Sequence, residues 1–119
     1  MTMNKENNEF IYHTNHWFWG TSVDIISNDG KGMVCVKFDK KTSPKTAYIC
    51  DLSVFESSRN QGNGEILMQL ALATAHEYKM TFARLYVNKE QIWLKEWYER
   101  LGFKELSRDE NELEMIKEL

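Results

Sequence analysis

Apolar and polar residues first alternate along this chain and then recur at helical spacing, and the changes of period divide it into elements. Phe10-Ile11-Tyr12-His13 is a short apolar stretch that predicts a first strand. Thr21–Ser27 is β-branched and alternating, and Met33–Phe38 returns in the same style. Between them lies Asn28-Asp29-Gly30-Lys31-Gly32, a strong turn sequence, so 21–27 and 33–39 read as a hairpin. Lys40–Lys45, holding the only proline at Pro44, reads as a loop. Ala47–Phe55 follows antiparallel, with the length and apolar content of a central strand covered on both faces.

After residue 64 the period becomes helical. Ile66, Leu70 and Ala73, with Leu67, Ala71, Thr74 and Tyr78, keep i, i+3 and i+4 spacing, which predicts one buried stripe on a helix ending near Lys79. Phe82–Val87 is the next strand, and a strand–helix–strand crossover of this kind is parallel and right-handed. Glu90–Leu101 reads as a second amphipathic helix burying Trp93, Leu94, Trp97 and Leu101, with Gly102 stopping it in the left-handed conformation. Phe103–Ser107 and Leu113–Leu119 form a closing hairpin around Arg108-Asp109-Glu110-Asn111. The expected fold class is therefore α/β, with a mixed α+β sheet and antiparallel N-terminal strands. Its central parallel pair lies between the strand ending at Phe55 and the one at Phe82.

Composition narrows the function classes. A chain of 119 residues reads as one domain, 1–119, with the polar segment 1–9 expected to fray. A formal net charge of −3 without a basic patch argues against nucleic acid as a partner. No run approaches the roughly 18 apolar residues of a membrane span, and the N-terminus lacks an apolar signal core, so no membrane and a cytoplasmic location are expected. Cys35 and Cys50 form no CxxC motif and have no His-rich partner pattern; they read as small apolar strand residues, with no disulfide framework and no metal site. His16-Trp17-Phe18-Trp19 reads as core, as a covered sheet edge, as an acceptor-pocket wall or as a dimer contact. His13 and His16 are surface residues in one reading and helpers in amine deprotonation in another; His76 is expected to be exposed.

The chemistry centres on Ser57-Ser58-Arg59-Asn60-Gln61-Gly62-Asn63-Gly64, between the central strand and the first long helix. The first-turn N–H groups of a helix lack helical partners, and the macrodipole puts partial positive charge there. Glycines let the backbone approach a phosphate, so a strand, a turn with two glycines and a helix start make an anion-holding device.

Ala47-Tyr48-Ile49-Cys50-Asp51-Leu52-Ser53-Val54 leading into Arg59-Asn60-Gln61-Gly62-Asn63-Gly64 resembles the central strand and R/Q-x-x-G-x-G/A loop of the GNAT superfamily of acetyl-CoA-dependent N-acetyltransferases. Leu85-Tyr86-Val87, Gln91 and Trp97-Tyr98-Glu99-Arg100-Leu101-Gly102-Phe103 resemble its second signature, and Leu113-Glu114-Met115-Ile116 its last strand. The resemblance covers about 47–119. It implies an acyl-CoA N-acyltransferase fold whose central parallel pair splays into a V, with two main helices and a C-terminal hairpin. It implies pyrophosphate on the N–H groups of Gln61, Gly62, Asn63 and Gly64 beside Arg59 and Asn60, pantetheine along Leu52, Ser53 and Val54, and a cofactor contact at Gln91. Tyr98 matches the tyrosine that protonates the departing thiolate, chemistry suited to a phenol; otherwise it packs.

The departures from the family pattern are as specific. Tyr48 stands where a glutamate can act as base. Asp51 and Glu56 are nearby, but strand alternation puts Asp51 opposite Tyr48, Cys50 and Leu52, and Glu56 reads as solvated; proton loss through water is an equal alternative. Asn60 and Gln61 are neutral, and Glu65 opens the helix where a small hydroxyl residue is usual and repels pyrophosphate unless it points away. Residues 10–21 leave little room for the helices that usually shape the acceptor site. Three readings remain: transfer from acetyl-CoA to a primary amine on a small molecule, peptide N-terminus or lysine, by direct attack in a ternary complex; a non-catalytic acyl-CoA-binding or protein-interaction module; and a structural protein with a decayed loop. The aromatics at Trp17–Trp19 and the closing hairpin leave a homodimer open.

Overall fold

The computed structural model describes residues 10–39, 45–54 and 62–119. Their elements run β1 (Phe10–Trp17), β2 (Gly20–Ser27), β3 (Gly32–Asp39), β4 (Thr46–Val54), α1 (Asn63–Glu77), β5 (Phe82–Asn88), α2 (Ile92–Arg100), β6 (Lys104–Arg108) and β7 (Glu112–Glu118). The strands form one sheet in the order β1-β2-β3-β4-β5-β7-β6. Every neighbouring pair is antiparallel except β4 and β5, which are parallel. The expected mixed sheet, its central parallel pair, the 21–27/33–39 hairpin and the closing hairpin are all present. The expectations for residues 1–9, for the loop over 40–44 and for Phe55 fall outside the described residues. β1 is longer than expected and runs through His16 and Trp17 into a two-residue turn, Phe18-Trp19, so strand follows strand with no helix between.

Strand alternation sorts side chains onto two faces. The inner face carries Val23 and Ile25, Val34 and Val36, Ala47 and Ile49, Ala83, Leu85 and Val87, all buried with Leu67, Met68, Ala71 and Ala75 of α1 and Tyr98 of α2 in one core. Both helices therefore pack on the same face. The outer face carries Asp24, Lys37, Tyr48, Cys50, Arg84, Tyr86 and Glu114.

The buried stripe of α1 is rotated by about one residue from the expected one. Met68 and Ala75 are buried, whereas Ile66 is 42% exposed and Ala73 lies at the surface. Both registers are apolar in sequence, so periodicity alone leaves the angle open. Tyr78 remains partly exposed while stacking on Phe38 at 4.4 Å. The helix ends in a left-handed Lys79 (φ 66), with Met80 N–H donating to Ala75 O at 3.1 Å and Lys79 N–H to His76 O at 3.0 Å. That pair of bonds satisfies end carbonyls. In α2, Leu94 and Trp97, with Leu101 just past its end, are only half-buried where burial was expected, Trp93 is 67% exposed, and the buried residue is Tyr98. The nine-residue helix offers the core only a narrow stripe, and Trp93 lies beside it. Gly102 takes the left-handed φ of 100 past its end.

These faces set a stability contrast. Met68→Ala is expected to cost about 2–5 kcal/mol through the cavity it leaves, and Trp93→Ala to stay within about 0.5 kcal/mol, both read by urea denaturation.

Candidate active site

The site begins with an extra residue in β4. Met33 pairs with Ser53 and Cys35 with Cys50, so the single residue Val34 faces two, Asp51 and Leu52. This is a β-bulge, and Asp51 occupies it with a left-handed φ of 54. Aspartate tolerates that region better than most side chains. The bulge resets the alternation. Ala47 and Ile49 face the core before it, and Leu52 and Val54 pack against the core after it, while Ser53 is exposed. This corrects two expectations. Leu52 is not on the face of Tyr48 and Cys50, and β4 is not covered on both faces, because Asp51 and Ser53 lie open.

The bulge also falls where β4 leaves its parallel neighbour. The β4–β5 ladder holds only Thr46–Phe82, Ala47–Ala83 and Tyr48–Arg84. Beyond that pair both strands continue, β4 to Val54 and β5 to Asn88, without pairing to each other. The result is the V-shaped opening at the carboxyl ends of the parallel strands, the end at which open α/β sheets bind ligands.

The N-terminus of α1 closes the wide end of this wedge. Its N-cap, Gly62, has φ 79, and among the described residues no side chain caps the helix. Ile66 N–H donates to Gly62 O at 3.0 Å, so the amides of Gly64 and Glu65 belong to the turn ahead of that first bond. A Cβ on Gly64 would lie 3.6 Å from the Trp97 ring and 3.8 Å from Val54 Cγ2. The helix start therefore touches both the end of β4 and α2. Glu65 turns along its own helix, accepting from Gln69 Nε2 at 3.4 Å. Among the expected site residues, Leu52, Ser53, Val54, Gly62, Asn63 and Gly64 thus gather at one end of the fold. Arg59, Asn60 and Gln61, with Glu56, lie outside the described residues.

Tyr98 is buried beside this assembly, its ring 5.1 Å from Trp97 and 5.9 Å from Phe103. Burial pushes its phenol above the usual tyrosine value, so it stays protonated at neutral pH and keeps a proton to give. Gln91 is the exposed N-cap of α2, anchored by its N–H to Asn88 O at 2.9 Å.

On the outer face the wedge apex is lined by residues that the sequence reading did not single out as site residues. Arg84 Nη1 meets Glu114 Oε2 at 3.3 Å, and Ser107 Oγ donates to Glu114 Oε1 at 3.4 Å. Arg84 Nε is buried and has no hydrogen-bond partner among the described residues. Tyr86, paired in register with Glu114, has its phenol raised first by partial desolvation and then by that carboxylate. The signal available in sequence was alternation: Arg84 and Tyr86 interleave with the core residues Ala83, Leu85 and Val87.

A family model described as the acetyltransferase (GNAT) family matches residues 4–103. The chain belongs to this GNAT family. No curated protein matches it in sequence. Among solved structures, a GNAT family acetyltransferase from Elizabethkingia anophelis with acetyl-CoA bound has a TM-score of 0.74 at 12% identity, covering 94% of this chain and 99% of that one. The IAA acetyltransferase of Bacillus cereus has a TM-score of 0.71 at 19% identity, over 85% of this chain and 79% of its own. The PaiA N-acetyltransferase of Thermoplasma acidophilum, in complex with coenzyme A, has a TM-score of 0.71 at 18% identity, over 82% of this chain and 60% of its own. These likenesses establish the GNAT fold. The Elizabethkingia chain is matched over nearly its whole length, so this GNAT architecture exists at this size.

The buried phenol gives a pH test of the site's packing. A folded-state value raised above the unfolded one stabilises fully below the unfolded value of about 10 and is lost as pH rises through the folded value. Thermal stability is therefore expected to fall between pH 9 and 11 (about one unit either side of the free phenol's titration) less steeply in Tyr98→Phe than in the natural chain, read by circular-dichroism melts.

Proposed function

We propose that this chain is an N-acetyltransferase that passes an acetyl group from acetyl-CoA to a primary amine on a small molecule, a peptide N-terminus or a lysine. The observation that carries the reading is the coincidence of the β4–β5 wedge with a glycine-led helix start at its mouth. In this reading the pyrophosphate lies on the amides from Gln61 to Gly64, helped by Arg59 and Asn60, where the macrodipole favours negative charge. The pantetheine runs along Leu52–Val54 as an added strand would, its amides meeting the backbone beyond the bulge. Gln91 reaches the cofactor from the start of α2. The thioester then sits near the apex, where β4 backbone N–H groups stabilise the oxyanion of the tetrahedral intermediate.

The amine attacks the thioester carbonyl directly in a ternary complex. Tyr98, kept protonated by burial, gives its proton to the departing coenzyme A sulfur. The attacking amine loses its proton through water, since Asp51 faces solvent on the bulge. Among the described residues no group of three or more His, Cys, Asp or Glu is arranged to hold an ion, and none of their helices is long and apolar enough to cross a membrane.

A second reading, a module that holds acyl-CoA without turnover, is favoured by one feature. The two-residue turn between β1 and β2 supplies none of the helices that the family resemblance leads one to expect over the acceptor.

Two measurements separate the readings. Acetyl-CoA at about 100 times its dissociation constant stabilises by roughly 2.7 kcal/mol, a thermal shift expected to vanish in the double variant Gly62→Asp/Gly64→Asp. Amine-dependent release of coenzyme A is expected to fall by about 100-fold or more in Tyr98→Phe. A shift without any turnover on an amine panel would support the binding module instead.

A further inference from the structure

The strand registers line up His13, Asp24, Cys35 and Cys50 side by side across β1, β2, β3 and β4. The row ends at the wedge. Cys50 is the first outer-face side chain of β4 beyond the last β4–β5 pair, Tyr48–Arg84. In the function proposed above, a group entering the wedge from the cofactor side emerges on this face, which carries Cys50 and Tyr86. The two cysteines carry free thiols, Cys35 buried and Cys50 half-buried. The Cys50 thiol donates to the Cys35 carbonyl oxygen at 3.6 Å. The Cys35 thiol donating to Cys50, with Lys37 nearby, holds the Cys50 thiol below its ordinary value, while the Cys35 thiol is pushed up. The thiolate is the nucleophilic form of cysteine, so the member of the pair at the wedge is the one prepared to react.

We propose that Cys50 is a second acyl acceptor in this site, taking the acetyl group from acetyl-CoA when no amine is present. The inference rests on the function proposed above. The Cys50 sulfur attacks the thioester carbonyl, the new S–C bond forms, and the bond from carbonyl carbon to coenzyme A sulfur breaks. The products are S-acetyl-Cys50 and free coenzyme A, whose sulfur takes its proton from Tyr98. The proton that Cys50 gives up leaves to water at the half-buried thiol. One thioester replaces another, so the step needs no other reactant and is reversible. Free coenzyme A takes the acetyl group back.

The test uses the full reduced chain with acetyl-CoA and no amine, followed by intact mass and peptide mapping. One acetyl group on the Cys50 peptide is expected, at a rate that saturates with acetyl-CoA. Excess coenzyme A or neutral hydroxylamine should remove it, and Cys50→Ser should lack it. Acetylation found only on lysines or the α-amine, or resistant to coenzyme A, overturns the inference. So does Cys50 labelling that never saturates and runs no faster than that of a free thiol such as glutathione. Acetyl-CoA binding, read on the same natural chain by thermal shift, separates the two failures. Binding without acetyl-Cys50 overturns this inference alone, and absence of binding overturns the proposed function with it.

Discussion

The extra residue at Asp51 is the constraint on which the rest of the site depends. Without it, strict alternation from Ala47 and Ile49 would carry Asp51 and Ser53 into the core and turn Leu52 and Val54 outward. Burying an unpaired carboxylate costs several kcal/mol. Holding one non-glycine residue in the left-handed region costs about 1–2 kcal/mol. The bulge is therefore the cheaper solution, and it keeps Leu52 and Val54 packed against the core. It also bends β4 just past Tyr48, where pairing with β5 stops. A local choice about which side chains stay dry thus opens the wedge on which the proposed chemistry relies.

The wedge is held open from one side only. α1 buries Leu67, Met68, Ala71 and Ala75 on β2–β5, which fixes its start against Val54 and Trp97. α2 contributes Tyr98 to the same core. The outer face has no helix among the described residues, and its polar side chains pair with one another across strands, as Arg84 does with Glu114 and Ser107 with Glu114. The two faces thus do different work. One supplies burial and carries the proposed cofactor end; the other presents Tyr48, Cys50 and Tyr86 where, in that proposal, an acyl group would emerge.

Much of this was legible in the sequence. The turn at Asn28–Gly32, the crossover through α1 and the Gly102 stop each have a local chemical cause, and each appears where expected. The glycine loop and the Tyr98–Phe103 ending pointed to the family that the matching of residues 4–103 establishes. The angle of each helix was less legible, because in α1 both Ile66/Leu70/Ala73 and Leu67/Ala71/Thr74 keep helical spacing and only packing on the sheet chooses between them. The bulge was present as a change of phase, with core residues at 47 and 49 and then at 52 and 54, but a single strand does not say where its partner lacks a residue. The row from His13 to Cys50 was hidden for the same reason, since it exists only through three registers.

The central claim is that the segment beyond the bulge and the start of α1 together hold coenzyme A. Amide hydrogen exchange measured with and without coenzyme A tests it most directly. The account predicts slowed exchange at Leu52–Ser53 and at Gly64–Glu65, with β1 and the far end of α1 unchanged. Coenzyme A that binds while leaving both segments unprotected would contradict it.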